Sequence, residues 1–378
     1  MTEPTSDHRF SWLAFPMHGQ RKLSAEGYRT RDGHMIEWFG RLASDSGSVA
    51  VLSRPEPRFA KPFQSKPSPA SLAPNTTPID GYSWAVPNIR DRRKWWLQSA
   101  RDYQVPQTDP ASVPAIIWNP FVSMAPAADE IFDGRVTVFD LLDDWTVHYA
   151  FDSIKRETEE AYRAIFARAT HVTANAEGTL ALAHRFGRDD AKLVTNGCDP
   201  ERFLTSSKAA GPITVGYVGK IGRRVDLELV LETAKSLPHV NFVLAGPILD
   251  REYRKPLTRV PNITLVGDVH YEDVPALLQT FDIGWVPHRV GVGEVGGDVI
   301  KTYEYRAAHL PVLTTPIAGA GRRNLDGVAV RAAGDHLEWI EAASHQGRVP
   351  RIPGSIPYDA TWESKAKLLF GLGQPQLD

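Results

Sequence analysis

Short apolar runs alternate along this chain with longer stretches in which apolar residues return every three or four positions. SWLAFPM (11–17), VAVLS (49–53), SWAVP (83–87), AIIWNP (115–120), RVTVFDLL (135–142), HVTANA (171–176) and AKLVTN (191–196) read as buried strands. Helical patterns lie between several of them, the longest being IKRETEEAYRAIFARA (154–169). Strands separated in this way must run parallel, which predicts an α/β, doubly wound sheet. After the glycine-, proline- and serine-rich stretch TNGCDPERFLTSSKAAGP (195–212) the pattern starts again. ITVGYVG (213–219), NFVLAGP (241–247), NITLVGD (262–268), DIGWVPH (282–288), PVLTT (311–315) and GVAVRAA (327–333) are strands, with helices near 226–236, 273–281, 298–308 and 335–344. The expectation is two domains, residues 1–200 and 201–355, followed by an amphipathic helix, TWESKAKLLFGL (361–372).

Three stretches interrupt the alternation. HGQRKLSAEGYRTRDGH (18–34) is expected to be a polar loop after the first strand, before the helix MIEWFGRLAS. A loop there sits at the carboxyl edge of a parallel sheet, so His18, Gly27, Arg29, Arg31 and His34 are site candidates, with ion pairs between loops as the plainer role. Residues 54–80 are crowded with proline and serine and show no period, which fits a disordered excursion or a functional flap. The third stretch, DRRKWWLQSARDY (91–103), is a helix that sets Arg92, Arg93 and Lys94 beside Trp95 and Trp96. That juxtaposition suits a bilayer surface; packing of the rings on the sheet is the alternative.

The chain has 378 residues, a net charge of -2 and 23% charged residues, so nothing suggests non-specific nucleic-acid binding. A single cysteine, Cys198, excludes an intramolecular disulfide framework and points to a reducing, cytoplasmic setting. No apolar run reaches the ~18–20 residues of a membrane span. MTEPTSDHRF lacks the apolar core of a signal peptide, so the expectation is a soluble protein that can still touch the inner face of the cell membrane.

The candidate chemistry is concentrated at residues 291–319. Gly291, Gly293, Gly296 and Gly297 let backbone approach a ligand closely, and the helix that follows offers unpaired N–H groups to a phosphate. Glu304 on that helix can accept hydrogen bonds from two adjacent hydroxyls, as in ribose binding. GKIGRR (219–224) places Lys220, Arg223 and Arg224 after the first strand of the second domain, where a diphosphate needs fixed cations. In FDLLDDWTVH (139–148), the adjacent carboxylates Asp143 and Asp144 are candidates for a general base, with helix capping as the structural alternative. Twelve histidines show no metal-ligand spacing, so no metal is expected.

Residues 219–247, GDVHYEDVPALLQTFDIGWVPH (267–288), YEYRAAHLPVLTT (303–315) and TNGCD (195–199) together resemble the GT-B nucleotide-sugar glycosyltransferases of family 4, most closely bacterial polysaccharide and teichuronic-acid-type members. The resemblance spans most of residues 135–315 and is weak over the first 110. It implies two Rossmann-like domains facing across a cleft, with segment 360–378 packed back on the first. It implies retaining transfer of a sugar from a nucleoside diphosphate to a hydroxyl of a glycan or lipid-linked acceptor, without metal.

Residue by residue, the resemblance assigns the ribose to Glu304, the diphosphate to Lys220 beside Gly219, and the base to backbone at Gly267, Asp268 and Val269. The family's glutamate for the donor sugar falls on Gly296, leaving Glu294 or Asp298 to substitute from the loop, or backbone amides such as that of Gly297 alone to hold the sugar. Its second phosphate lysine falls on Val225, leaving Arg223, Arg224 or Lys301. A sugar-binding histidine of the family lies near His148, though not in the matching place. Rival readings are a nucleotide-sugar epimerase of the same fold and a non-catalytic partner subunit, the latter favoured by the glycine at 296.

Overall fold

The computed structural model describes residues 10–44, 47–63, 71–291, 297–317, 319–323, 325–345 and 347–374. The chain divides into two compact units, residues 1–194 with 362–378, and Thr195–Thr361.

The strands of the first unit are β1 (Phe10–Phe15), β2 (Ser48–Leu52), β3 (Glu56–Pro57), β4 (Thr76–Ile79), β5 (Tyr82–Ser83), β6 (Ala115–Ile117), β7 (Thr137–Leu141), β8 (His171–Ala174) and β9 (Lys192–Leu193). Seven of them form one sheet in the order β4-β2-β1-β6-β7-β8-β9, and each pair is parallel. β3 and β5 pair only with each other. The core holds Leu13, Phe15, Ile117, Phe139 and Leu141 from the sheet and Tyr162, Ile165 and Phe166 from the helix Lys155–Arg168. The returning helix Trp362–Gly371 belongs to this unit: Trp362 stacks on His34 and Phe370 packs against Trp12 and Phe39.

Three expectations for this unit are corrected. The segment 18–34 is mostly helical, with helices Gln20–Glu26 and Arg31–Leu42. Gly27, at a φ of 71°, ends the first helix in the left-handed conformation, and extended Thr30 starts the second. The proline-rich stretch ends in a strand, β4, whose Pro78 sits opposite Val51 at the sheet edge, where a missing N–H costs no ladder bond. SWAVP does not rejoin the main sheet: only Tyr82 and Ser83 pair, and Trp84 and Val86 are exposed.

The second unit contains β10 (Thr214–Val218), β11 (Asn241–Ala245), β12 (Ile263–Gly267), β13 (Ile283–Val286), β14 (Val312–Thr314) and β15 (Val328–Val330). Their order, β12-β11-β10-β13-β14-β15, is that of the dinucleotide-binding fold, all parallel. The order reverses between β10 and β13. A crevice opens at the carboxyl ends of two such strands because their following loops leave on opposite faces.

Candidate functional site

The loops at this reversal are stitched together by backbone. Val225 and His288 form an antiparallel bridge, Asp226 N donates to Pro287 O at 2.8 Å, and Arg289 N donates to Arg224 O at 2.8 Å. The helix Ile300–Ala307 is pinned above them. Gly284 of β13 has no side chain because the Tyr305 ring lies where a Cβ would be, 2.4 Å from its Cδ2. The Tyr305 hydroxyl in turn accepts the Val218 N–H at 2.7 Å, tying the helix to the end of β10.

Glycine is also required where the strand ends converge. A Cβ on Gly246, which has a φ of 145°, would lie 2.0 Å from the Gly219 carbonyl oxygen. One on Gly219 would lie 2.2 Å from Lys301 Cε and 2.7 Å from its Nζ. Bare backbone at these positions lets the Lys301 ammonium sit directly over the end of β10. Lys301 also lies over the Tyr217 ring at 5.4 Å. Tyr217 donates its hydroxyl to the Lys220 carbonyl at 3.0 Å, and His288 Nε2 is 3.3 Å from the same hydroxyl. Burial, then the charges of Lys301 and Arg224, hold the His288 pKa well below the ordinary value. His288 is therefore a neutral ring beneath a cationic crevice.

Glu304 lies on the helix of Lys301 and is buried, 6% exposed. Its carboxylate is beside the hydroxyl of Tyr271, whose pKa is driven well above the ordinary value by burial and then by the Glu304 charge. It also faces Cys198, whose thiol is pushed up by burial and then by Glu304, which makes that cysteine unreactive. Tyr271 follows the Gly267–Val269 segment at the end of β12, so the fold brings the expected base-binding backbone and Glu304 to one side of this unit. Gly267 takes a φ of 89°, and Asp268 is exposed. Arg223 and Arg224 are both exposed; Arg223 N donates to Asp250 at 2.9 Å and its guanidinium is 3.8 Å from Glu252.

Asp298, one of the two carboxylates expected to stand in at the donor sugar, is already partnered. Its carboxylate accepts Asn196 N at 2.9 Å, the Tyr303 hydroxyl at 2.8 Å and Arg323 Nε at 2.9 Å, so its lone pairs are committed. Glu294 and Gly296 lie outside the described residues, as does Gly293. A cavity of about 200 Å³, lined by Asp298, Thr302, Thr314, Arg323 and Val330 among others, adjoins this ion pair. Among the described residues no cluster of three histidine, cysteine or carboxylate side chains could hold a metal.

In the first unit the candidates separate. Arg31 is buried and grips Asp140 at 2.8 and 3.0 Å, while Trp118 Nε1 and Thr173 Oγ1 donate to the same carboxylate at 2.7 Å. This is a satisfied buried ion pair within the sheet core and is not exposed to a ligand. Arg29 pairs with Glu26 and His34 is buried against Trp362. His18 stays at the carboxyl edge of β1: Asp32 accepts its N–H at 3.3 Å and lies 3.7 Å from its Nδ1. Burial would raise the Asp32 pKa, but the hydrogen bond and charge of His18 together with the Thr30 hydroxyl lower it to about 2.

Asp144 is buried and accepts Thr146 N at 2.9 Å and Arg185 Nη2 at 3.0 Å. Asp143, half-buried, accepts the Tyr162 hydroxyl on its carbonyl. The capping expected of Asp143 and Asp144 falls instead to His148, whose Nδ1 accepts the Ala150 N–H of the 3-10 helix Tyr149–Ile154 at 3.1 Å. Trp95 and Trp96 are buried, 8% and 9% exposed, so these two rings are not offered to lipid. No described helix is long and apolar enough to cross a membrane. Tyr217, Tyr271 and His288 were not singled out from the sequence, although His288 lies two residues past a parallel strand at the reversal, a position that could have flagged it.

Residues 212–345 match the family described as glycosyl transferases group 1. A Bacillus subtilis (strain 168) protein, TuaH, named for a role as a teichuronic acid biosynthesis glycosyltransferase, is 26% identical over 168 residues, 41% of this chain and 42% of that protein. The chain thus matches less than half the length of this curated relative. Among solved structures, sucrose-phosphate synthase from Thermosynechococcus elongatus superposes with a TM-score of 0.67 at 15% identity, covering 96% of this chain and 95% of that one. Anabaena HepE, in complex with UDP and glucose, gives 0.60 at 14% identity over 96% and 97%. These likenesses show the GT-B fold.

Proposed function

We propose that this GT-B chain, with its glycosyl transferases group 1 domain at residues 212–345, moves a sugar from a nucleoside diphosphate to a hydroxyl of a glycan or lipid-linked acceptor. The observation that carries this reading is one helix, at the strand reversal of the second unit, that sets the Lys301 ammonium over the end of β10 and buries the carboxylate of Glu304. Ribose hydroxyls donate to Glu304. The diphosphate is held by Lys220 and Lys301, which spread its charge as it leaves. Cations and backbone N–H groups then supply what a metal supplies elsewhere.

A retaining, front-face transfer is favoured because the departing phosphate can itself take the acceptor proton. Asp144, one of the two adjacent carboxylates singled out by sequence, is engaged with Arg185 and Thr146 and is poorly suited to act as a base. The relative named for teichuronic acid biosynthesis supports a role in polysaccharide or glycoconjugate synthesis, and our reading sets that role at the cytoplasmic face of the membrane. The UDP in the Anabaena structure makes uridine the first base to test. A non-catalytic partner subunit is the second reading, favoured by glycine at position 296.

Thermal unfolding of the full chain against a panel of nucleoside diphosphates, in metal-free buffer, tests the reading. A ligand at 100 times its Kd stabilises by about 2.7 kcal/mol, and UDP is expected to raise the melting temperature accordingly. No shift with any nucleotide would overturn it.

A further inference from the structure

We infer that the segment Trp84–Lys94, with the adjoining residues Arg58–Lys61, is a seat for an anionic lipid surface. The four most exposed large apolar side chains among the described residues all lie here: Ile89 at 88%, Trp84 at 78%, Val86 at 73% and Phe59 at 61%. Pairing of β3 with β5 brings the two stretches together. The Arg58 guanidinium then covers the Trp84 ring at 4.3 Å, and the Lys61 ammonium lies over Tyr82 at 4.9 Å.

The tip is built rather than loose. Asn88 Oδ1 accepts the N–H groups of Arg90 at 2.9 Å and Asp91 at 3.1 Å, fixing the turn between Val86 and the basic run. Trp95 and Trp96 anchor its far end: Trp95 Nε1 donates to Pro55 O at 3.2 Å, and Trp96 packs on Phe121, Trp145 and Phe151. The tryptophans, which the sequence left between a bilayer surface and packing on the sheet, are thus the packed root, and the residues before them are the exposed surface.

Charge selects the occupant. Arg90, Arg92, Arg93 and Lys94 are exposed around one carboxylate, Asp91, on a chain whose net charge is -2. Asp91 is itself spent, accepting Arg93 N and Ser153 Oγ, both at 3.1 Å. Apolar and aromatic side chains that enter the acyl boundary, with cations a few residues away at headgroup level, match a bilayer carrying anionic lipid. The inference deepens the membrane setting proposed above and does not depend on sugar transfer.

The test is co-sedimentation of the full chain with sucrose-loaded vesicles of phosphatidylglycerol and phosphatidylcholine in equal parts, or of phosphatidylcholine alone. Partitioning is expected to be about tenfold stronger on the anionic vesicles and to fall at high salt. Val86→Ser with Ile89→Ser, and separately Arg92→Glu with Arg93→Glu, should each weaken it by about tenfold. All four positions are exposed, so melting temperatures should match the parent. Equal binding to both vesicle types, parental binding by both double variants, or no binding, as for a segment that docks an acidic protein, would overturn the inference. The UDP-induced melting shift, read on the same samples, separates this failure from failure of the transferase reading.

Discussion

Replacing Glu304 by alanine is expected to cost the protein its hold on the nucleotide while leaving the fold intact. A charged acceptor bonded to two hydroxyls contributes about 2–3 kcal/mol after desolvation, or on the order of 100-fold in affinity. The carboxylate is buried beside Tyr271 and Cys198, so removing it also relieves a charge held in a poorly hydrated place. The unliganded melting temperature should therefore change little, and the stabilisation by UDP should nearly vanish. Glu304→Gln keeps the shape but can accept on one oxygen only, and it should fall between the two. Calorimetric titration of all three proteins with UDP checks the order. Equal affinities would remove the ribose from this residue.

Gly246→Ala is expected to have the largest effect on stability. Its Cβ would meet the Gly219 carbonyl oxygen at 2.0 Å, and its φ of 145° is one that L residues rarely adopt. Neither atom is the end of a flexible side chain, so the ends of β10 and β11 must separate. A cost of about 3 kcal/mol, or roughly 10 °C in melting temperature, follows for a unit of this size. Because Lys301 rests on Gly219, the same displacement should weaken nucleotide binding. Gly267→Ala is the comparison: its φ is 89° but nothing lies within 4 Å, so it carries backbone strain alone. A Gly246→Ala protein as stable as the parent would contradict this account of how the strand ends pack.

The second unit was legible because its strands are short and apolar, and the central ones, such as Ile283–Val286 and Val312–Thr314, are buried throughout. Where a local rule was broken, reading failed. The helix Arg251–Thr258 escaped notice because Pro256 sits inside it and only Tyr253 and Leu257 are buried. The helix Gln20–Glu26 is short and polar, and the strand Thr76–Ile79 carries a proline that only an edge position tolerates. In the candidate site, Glu304 and Lys220 were singled out by a helix after a glycine-rich loop and by a strand end. The roles of Asp298 and Asp144 were not, because each depends on partners distant in sequence, Asn196 and Arg323 for one and Arg185 for the other. Hydrogen-bond saturation by remote groups leaves no local pattern to read.

The proposed sugar transfer has its seat in the second unit's crevice. The most direct measurement is release of nucleoside diphosphate from nucleotide sugars by the full chain, with a glycan or lipid-linked acceptor and then without it, alongside Glu304→Ala. The account predicts acceptor-dependent release by the parent, with the sugar recovered on the acceptor in its original anomeric configuration, and a loss of at least about 100-fold in kcat/KM for the variant. Nucleotide binding without any transfer, across donors and acceptors, would contradict it and leave the partner-subunit reading in its place.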